Sequence, residues 1–116
     1  MANVQIFGVK NSQATRAAER FFKERGVPFQ SVDLKRKAMA PAEIGRFVAR
    51  FGIVALLDAE GKAYIDAGLK YMKVGERELL AKIEREPGLL RLPLVRADKM
   101  LSVGRDEESW KAMLGA

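Results

Sequence analysis

"NVQIFGVKNSQATRAAERFFKERGVPFQSVDL", residues 3–34, decides the fold. Val4, Ile6 and Phe7 make a short apolar strand that ends at Gly8. Ala14, Ala17, Ala18, Phe21 and Phe22 then recur at helical spacing, while Arg16, Glu19, Arg20, Lys23 and Glu24 take the other face. Asn11 or Ser12 can cap this helix, and Gly26 stops it. "VPFQSVDL", residues 27–34, reads as a second strand. Strand, helix and strand in so short a stretch form a βαβ unit, so the two strands are parallel.

The pattern then changes. "KRKAMA" reads as a turn, and Pro41 suits the first position of a helix whose stripe is Ile44, Phe47, Val48 and Phe51, ending at Gly52. Residues 53–69 predict short helical pieces around Asp58–Gly61. Leu79, Leu80 and Ile83 mark a further helix over Glu76–Glu86, stopped by Pro87-Gly88. In "LPLVRADKMLSVG", residues 92–104, the period becomes that of a β-hairpin turning at Ala97-Asp98-Lys99. Asp106 caps a last helix carrying Trp110, Met113 and Leu114. The predicted order is β-α-β, a helical insert over about 40–88, then β-β-α, in one domain over 1–116.

Composition narrows the chemistry. The chain has no cysteine and no histidine. Disulfides, thiolate nucleophiles and cysteine or histidine metal sites are therefore excluded within it, as is a Ser-His-Asp triad. "GERELLAKIERE" puts mixed charge on a solvated helix face, and no metal site is read in Glu76, Glu78, Glu84 and Glu86. No apolar run approaches the ~20 residues of a membrane span. Met1-Ala2-Asn3-Val4-Gln5 has no basic-then-apolar signal pattern, so a cytoplasmic location is expected. The net charge is +6, and residues 1–50 hold all the excess, with ten Lys/Arg against four Asp/Glu. Such a face attracts acidic partners only if its charges form one surface; direct nucleic-acid binding is not expected.

Three segments, in order, carry a resemblance. "FGVKNSQATRAAERFF" resembles the active-site loop and first helix of the arsenate-reductase-like (ArsC) family, which includes the Spx transcription regulators. Its likeness is to the branch reading Tyr-Gly-Ile-Lys-x-Cys-x-Thr, proposed to be thiol reductases. "ALLDAEGKAY" resembles the family's Leu-Leu-Arg segment, and "EPGLLRLPLVRADKMLSVG" is similar to its Pro-x-Leu-[Leu/Ile]-x-Arg-Pro-[Ile/Val] strand and hairpin. The resemblance implies an α/β, thioredoxin-like (glutaredoxin-like) fold with a mixed four-stranded sheet. It also implies a cis peptide bond at Leu92-Pro93.

The same resemblance implies a thiol mechanism in working members. A cysteine at the start of the first helix is held as thiolate by the helix terminus, and arginines bind the oxyanion. Here that cysteine position falls on Ser12, and the second position of Cys-x-x-Cys members on Thr15. The family's arginine positions fall on Asp58, Leu92 and Met100. Arg91 is one residue from Leu92, but neighbouring strand residues point to opposite faces. Arsenate reduction is therefore not expected.

Gly8, Lys10, Asn11, Ser12, Leu92 and Pro93 keep the family template and are the candidate ligand-binding residues. Two functions compete. One is a binding or regulatory protein that has lost its thiol chemistry, with RNA polymerase as the partner implied by the Spx members. The other is a glutathione-linked reductase or transferase in which Ser12 donates a hydrogen bond to a bound thiolate, with Lys10 as a conceivable base.

Overall fold

The computed structural model describes residues 3–115; Met1 and Ala2, where the reading of the N-terminus begins, lie outside the described residues. The chain divides into two compact units, one formed by 1–37 and 92–116 and the other by 38–91.

The first unit is built on a four-stranded sheet in the order β2-β1-β3-β4. Its strands are β1 (Val4–Gly8), β2 (Phe29–Asp33), β3 (Leu94–Ala97) and β4 (Met100–Val103). β1 and β2 are parallel, with Val4 opposite Phe29 and Gly8 opposite Asp33. β3 runs antiparallel to β1, pairing Phe7 with Leu94 and Val4 with Ala97, and β4 returns beside it as a hairpin. Asp98 takes a left-handed φ of 56° in the hairpin turn, a conformation aspartate tolerates better than most residues. Two helices complete the unit, α1 (Gln13–Glu24) and α5 (Glu107–Gly115). This is the thioredoxin-like arrangement that the sequence implies, α/β with a mixed four-stranded sheet.

One sheet face makes the core of this unit. Val4, Ile6, Val95 and Ala97 meet Ala18, Phe21 and Phe22 of α1 and Trp110 and Met113 of α5. Trp110 is fully buried, its ring centroid 5.5 Å from that of Phe21, and its Nε1–H donates to Ser102 Oγ at 3.2 Å. Arg25 lies over the Phe21 ring, 3.8 Å from its centroid, and donates to the Phe21 carbonyl. The opposite face carries a polar row across three strands: Gln5 donates to Gln30, and Arg96 donates to Gln5.

The second unit holds α2 (Pro41–Phe51), α3 (Lys62–Asp66), α4 (Glu76–Arg85) and 3-10 turns at Val54–Leu56, Leu69–Tyr71 and Pro87–Leu89. The expectation of helical pieces around Asp58–Gly61 is corrected here. Those residues form a turn, closed by Gly61 N–H donating to the Asp58 carbonyl at 3.0 Å, and the helical pieces flank it. Asp-Ala-Glu-Gly is turn chemistry, with Gly61 serving as the residue before α3. Two inward-facing leucines hold the segment: Leu57 bridges Leu90, and Leu56 accepts at its carbonyl from Arg91 N–H at 2.7 Å.

Candidate functional site

The loop between β1 and α1 is fixed by Ser12. Its backbone is extended, with φ −86° and ψ 118°. Its Oγ accepts from Thr15 N–H at 3.1 Å, and its carbonyl accepts from Arg16 N–H at 3.1 Å. Its own N–H donates to the Val9 carbonyl at 3.1 Å. Ser12, not Asn11, is therefore the cap. The first turn of α1 carries no acidic residue, so the positive end of the helix dipole stands uncompensated by a side chain of its own turn. The Gln13 and Ala14 N–H groups have no acceptor within the helix. This arrangement favours negative charge at the loop. Ser12 Oγ already accepts from Thr15, and its O–H remains available to donate outward.

The antiparallel ladder brings Pro93 to the same end of the sheet. Phe7 pairs with Leu94, so the next step along the strands sets Gly8 beside Pro93. The Leu92-Pro93 peptide bond is cis. Pro93 is fully buried, and its carbonyl accepts from Gly104 N–H at 2.9 Å. Gly8, Lys10, Asn11, Ser12, Leu92 and Pro93 thus gather where β1 ends, β3 begins and α1 starts. Thr15 is 3% exposed behind the loop. Its Oγ1 has no hydrogen-bond partner among the described residues, which costs on the order of 1–3 kcal/mol for a buried polar group.

The positions where the resemblance expects arginines, and the basic residues near them, are placed as follows. Met100 begins β4 opposite Ala97, at the end of the ladder away from Phe7–Leu94, and packs on the core. Lys99 sits in the hairpin turn at that same far end. Arg96 alternates to the polar face and is committed to Gln5. Arg91 belongs to the second unit and is exposed. Asp58 is in the second unit too. There its N–H donates to the Leu89 carbonyl at 2.8 Å, and its carboxylate lies over Gly61.

Among the described residues, no group of three Asp, Glu, His or Cys side chains is placed to hold a metal ion, and no helix is long and apolar enough to cross a membrane.

The fold has its counterparts in known proteins. Residues 7–113 match the ArsC family. The chain belongs to the ArsC family. Among curated proteins, an ArsC-family chain of this kind is similar to the global transcriptional regulator Spx 2 of Oceanobacillus iheyensis, 24% identical over 113 residues, covering 96% of this chain and 83% of that protein. Among solved structures, it superposes on the YFFB protein with a TM-score of 0.85 at 17% identity, covering 97% of this chain and 99% of that one. An arsenate reductase from Vibrio cholerae gives a TM-score of 0.81 at 17% identity, covering 97% and 98%. At these identities the superpositions carry the fold.

Sequence reasoning about this ArsC chain passed over one side of the loop. Arg16, Asp33 and Arg36 line an opening beside Gly8 and Lys10, at the β2 side of β1. The signal was present in Lys35-Arg36-Lys37, directly after a strand parallel to β1. It read as a solvated turn because the crossover's end point is not visible in the run itself.

Proposed function

We propose that this ArsC-family chain is a binding or regulatory protein that uses the family's active-site frame without a thiol step. One observation carries the reading. The nucleophile position is Ser12, whose Oγ accepts from the Thr15 amide and caps α1, in a chain with neither cysteine nor histidine. A helix terminus that makes a thiolate cannot make an alkoxide, and serine nucleophiles need an adjacent base. The uses of Met100 and Arg96 within the first unit point the same way. The likeness to Spx regulators supports a protein partner in the cytoplasm, with RNA polymerase the first to test. Binding to it would be insensitive to redox state. Co-purification of the tagged chain with RNA polymerase from its native cell, unchanged by dithiothreitol or diamide, is the expected result. Capture of RNA polymerase no better than that of an untagged control would remove it as the partner.

A second reading is favoured by the Ser12 O–H and by Pro93 beside Gly8. Glutathione would lay its peptide along the start of β3, and Ser12 would donate to its thiolate. Amide shifts around residues 8–12 and 92–94 on adding millimolar glutathione support this reading, and their absence sinks it. Turnover of a disulfide substrate separates an enzyme from a glutathione-binding module.

A further inference from the structure

The exposed large apolar side chains among the described residues, Val54, Ile65, Tyr71 and Met72, all belong to the second unit. Three of them share one stretch. Gly68 N–H donates to the Ile65 carbonyl at 3.0 Å and Tyr71 N–H to the Gly68 carbonyl at 3.1 Å, so α3 runs through consecutive turns to Met72. Ile65 is 62% exposed, Tyr71 86% and Met72 46%, while Leu69 between them is buried and anchors the stretch. A single exposed apolar side chain is ordinary, but three on one anchored stretch mark an interaction site.

The backbone that follows is open. Met72 (φ −119°, ψ 146°) and Gly75 (φ −71°, ψ 163°) are extended, and residues 72–75 belong to no helix or strand. The N–H and C=O groups of Lys73 and Val74 have no hydrogen-bond partner among the described residues. Extended backbone with free donors and acceptors can pair with another extended chain.

Charge selects the partner. Residues 67–75 contain Lys70 and Lys73 and no acidic residue. Both lysines are exposed, and neither has an ion-pair partner among the described residues. The carboxylates that flank the stretch in sequence are matched by positive charge. Asp66 is paired with Lys62 Nζ at 2.6 Å, and Glu76 and Glu78 open α4 at the positive end of its dipole.

We propose that residues 65–75 dock an extended, acidic segment of a partner protein. Its main chain pairs with Lys73 and Val74, its apolar side chains cover Ile65, Tyr71 and Met72, and its carboxylates meet Lys70 and Lys73. A second copy of this chain would instead bring lysine-bearing patches together, which like charge opposes. The site depends neither on the reading of position 12 nor on RNA polymerase being the partner.

The test selects short random peptides displayed on phage against the full chain, with counter-selection on the Lys70→Glu/Lys73→Glu variant. Acidic peptides with interspersed apolar residues should be enriched. The leading peptide, synthesised and titrated into the chain, should give saturable amide shifts at 65–75, with 8–12 and 92–94 unmoved. It should also slow hydrogen exchange at the Lys73 and Val74 amides. Lys70→Glu/Lys73→Glu and Tyr71→Ser/Met72→Ser should each weaken binding about tenfold. All four side chains are exposed, so unchanged circular dichroism will show an intact fold. Enrichment of no acidic peptide, or equal binding by the charge-reversed variant, would overturn the site. So would shifts at 65–75 produced by an oligouridylate in place of the peptide, or by raising the concentration of the chain alone.

Discussion

Gly8 and Thr15 interlock: a β-carbon at position 8 would stand 2.3 Å from Thr15 Oγ1 and 2.4 Å from its Cγ2. The strand can meet the helix this closely because Gly8 has no side chain, and the Thr15 amide is meanwhile held by Ser12. Gly8→Ala should therefore destabilise the chain by about 1–3 kcal/mol, the usual cost of overpacking. Thr15→Ala removes both of the closest atoms, so the double variant should be more stable than the sum of the single changes predicts. Urea unfolding of the four proteins measures the coupling, and strict additivity would contradict the contact.

Ser12→Ala removes the side-chain bond that caps α1 and should cost about 1 kcal/mol. Ser12→Asp should keep the cap and add a favourable dipole contact, leaving stability at or above that of the parent. Chemical denaturation of both variants checks the order.

Ser12→Cys probes whether the frame still activates a thiol. The helix terminus should hold the new thiol below the free-cysteine value of about 8.5. The pH dependence of iodoacetamide alkylation reads it directly. A midpoint at or above that value would mean that the loop geometry no longer favours an anion.

Trp110 is the sole tryptophan and is buried, so its fluorescence reports unfolding of the first unit's core. Ser102→Ala leaves its indole N–H without an acceptor and should cost about 1–3 kcal/mol. An unchanged denaturation midpoint for that variant would contradict the Trp110–Ser102 bond.

Stability should be flat from about pH 6 to 8, because the chain has no histidine or cysteine to titrate there. Lys62 is raised above its ordinary value of 10.5 by its hydrogen bond and attraction to Asp66. A raised lysine contributes fully below its unfolded value and loses that contribution as pH climbs through the folded one. Its effect is therefore confined to alkaline solution. Thermal midpoints across the range provide the check.

The parts of this fold that were legible in the sequence are those written in local periodicity. Phe21 and Phe22 at helical spacing, Gly26 as a stop and the alternation of Leu94 to Val103 each name an element without reference to the rest of the chain. Ser12 as a cap was legible for the same reason. Asp58–Gly61 was misplaced because a turn between two single-turn helices has too few residues to show a period. The crevice beside Gly8 was not legible at all. It joins Lys10, Arg16 and Arg36 from three elements, and only the parallel register of β1 with β2 brings Asp33 alongside Gly8. The placement of Met100 at the far end of the ladder likewise follows from strand pairing, which single-residue alignment to a family does not convey.

The division of the chain has a bearing on its birth. The first unit is assembled from two separated segments, and the second unit is written between them. Val4, Ile6 and Phe22 leave the ribosome before the second unit, and Val95, Trp110 and Met113, their partners in the core, leave after it. Until then β1 has only β2 beside it, and its other edge stays open. The newborn sheet thus keeps an edge open to outside strands while the second unit is made, and it is the closing hairpin that covers that edge.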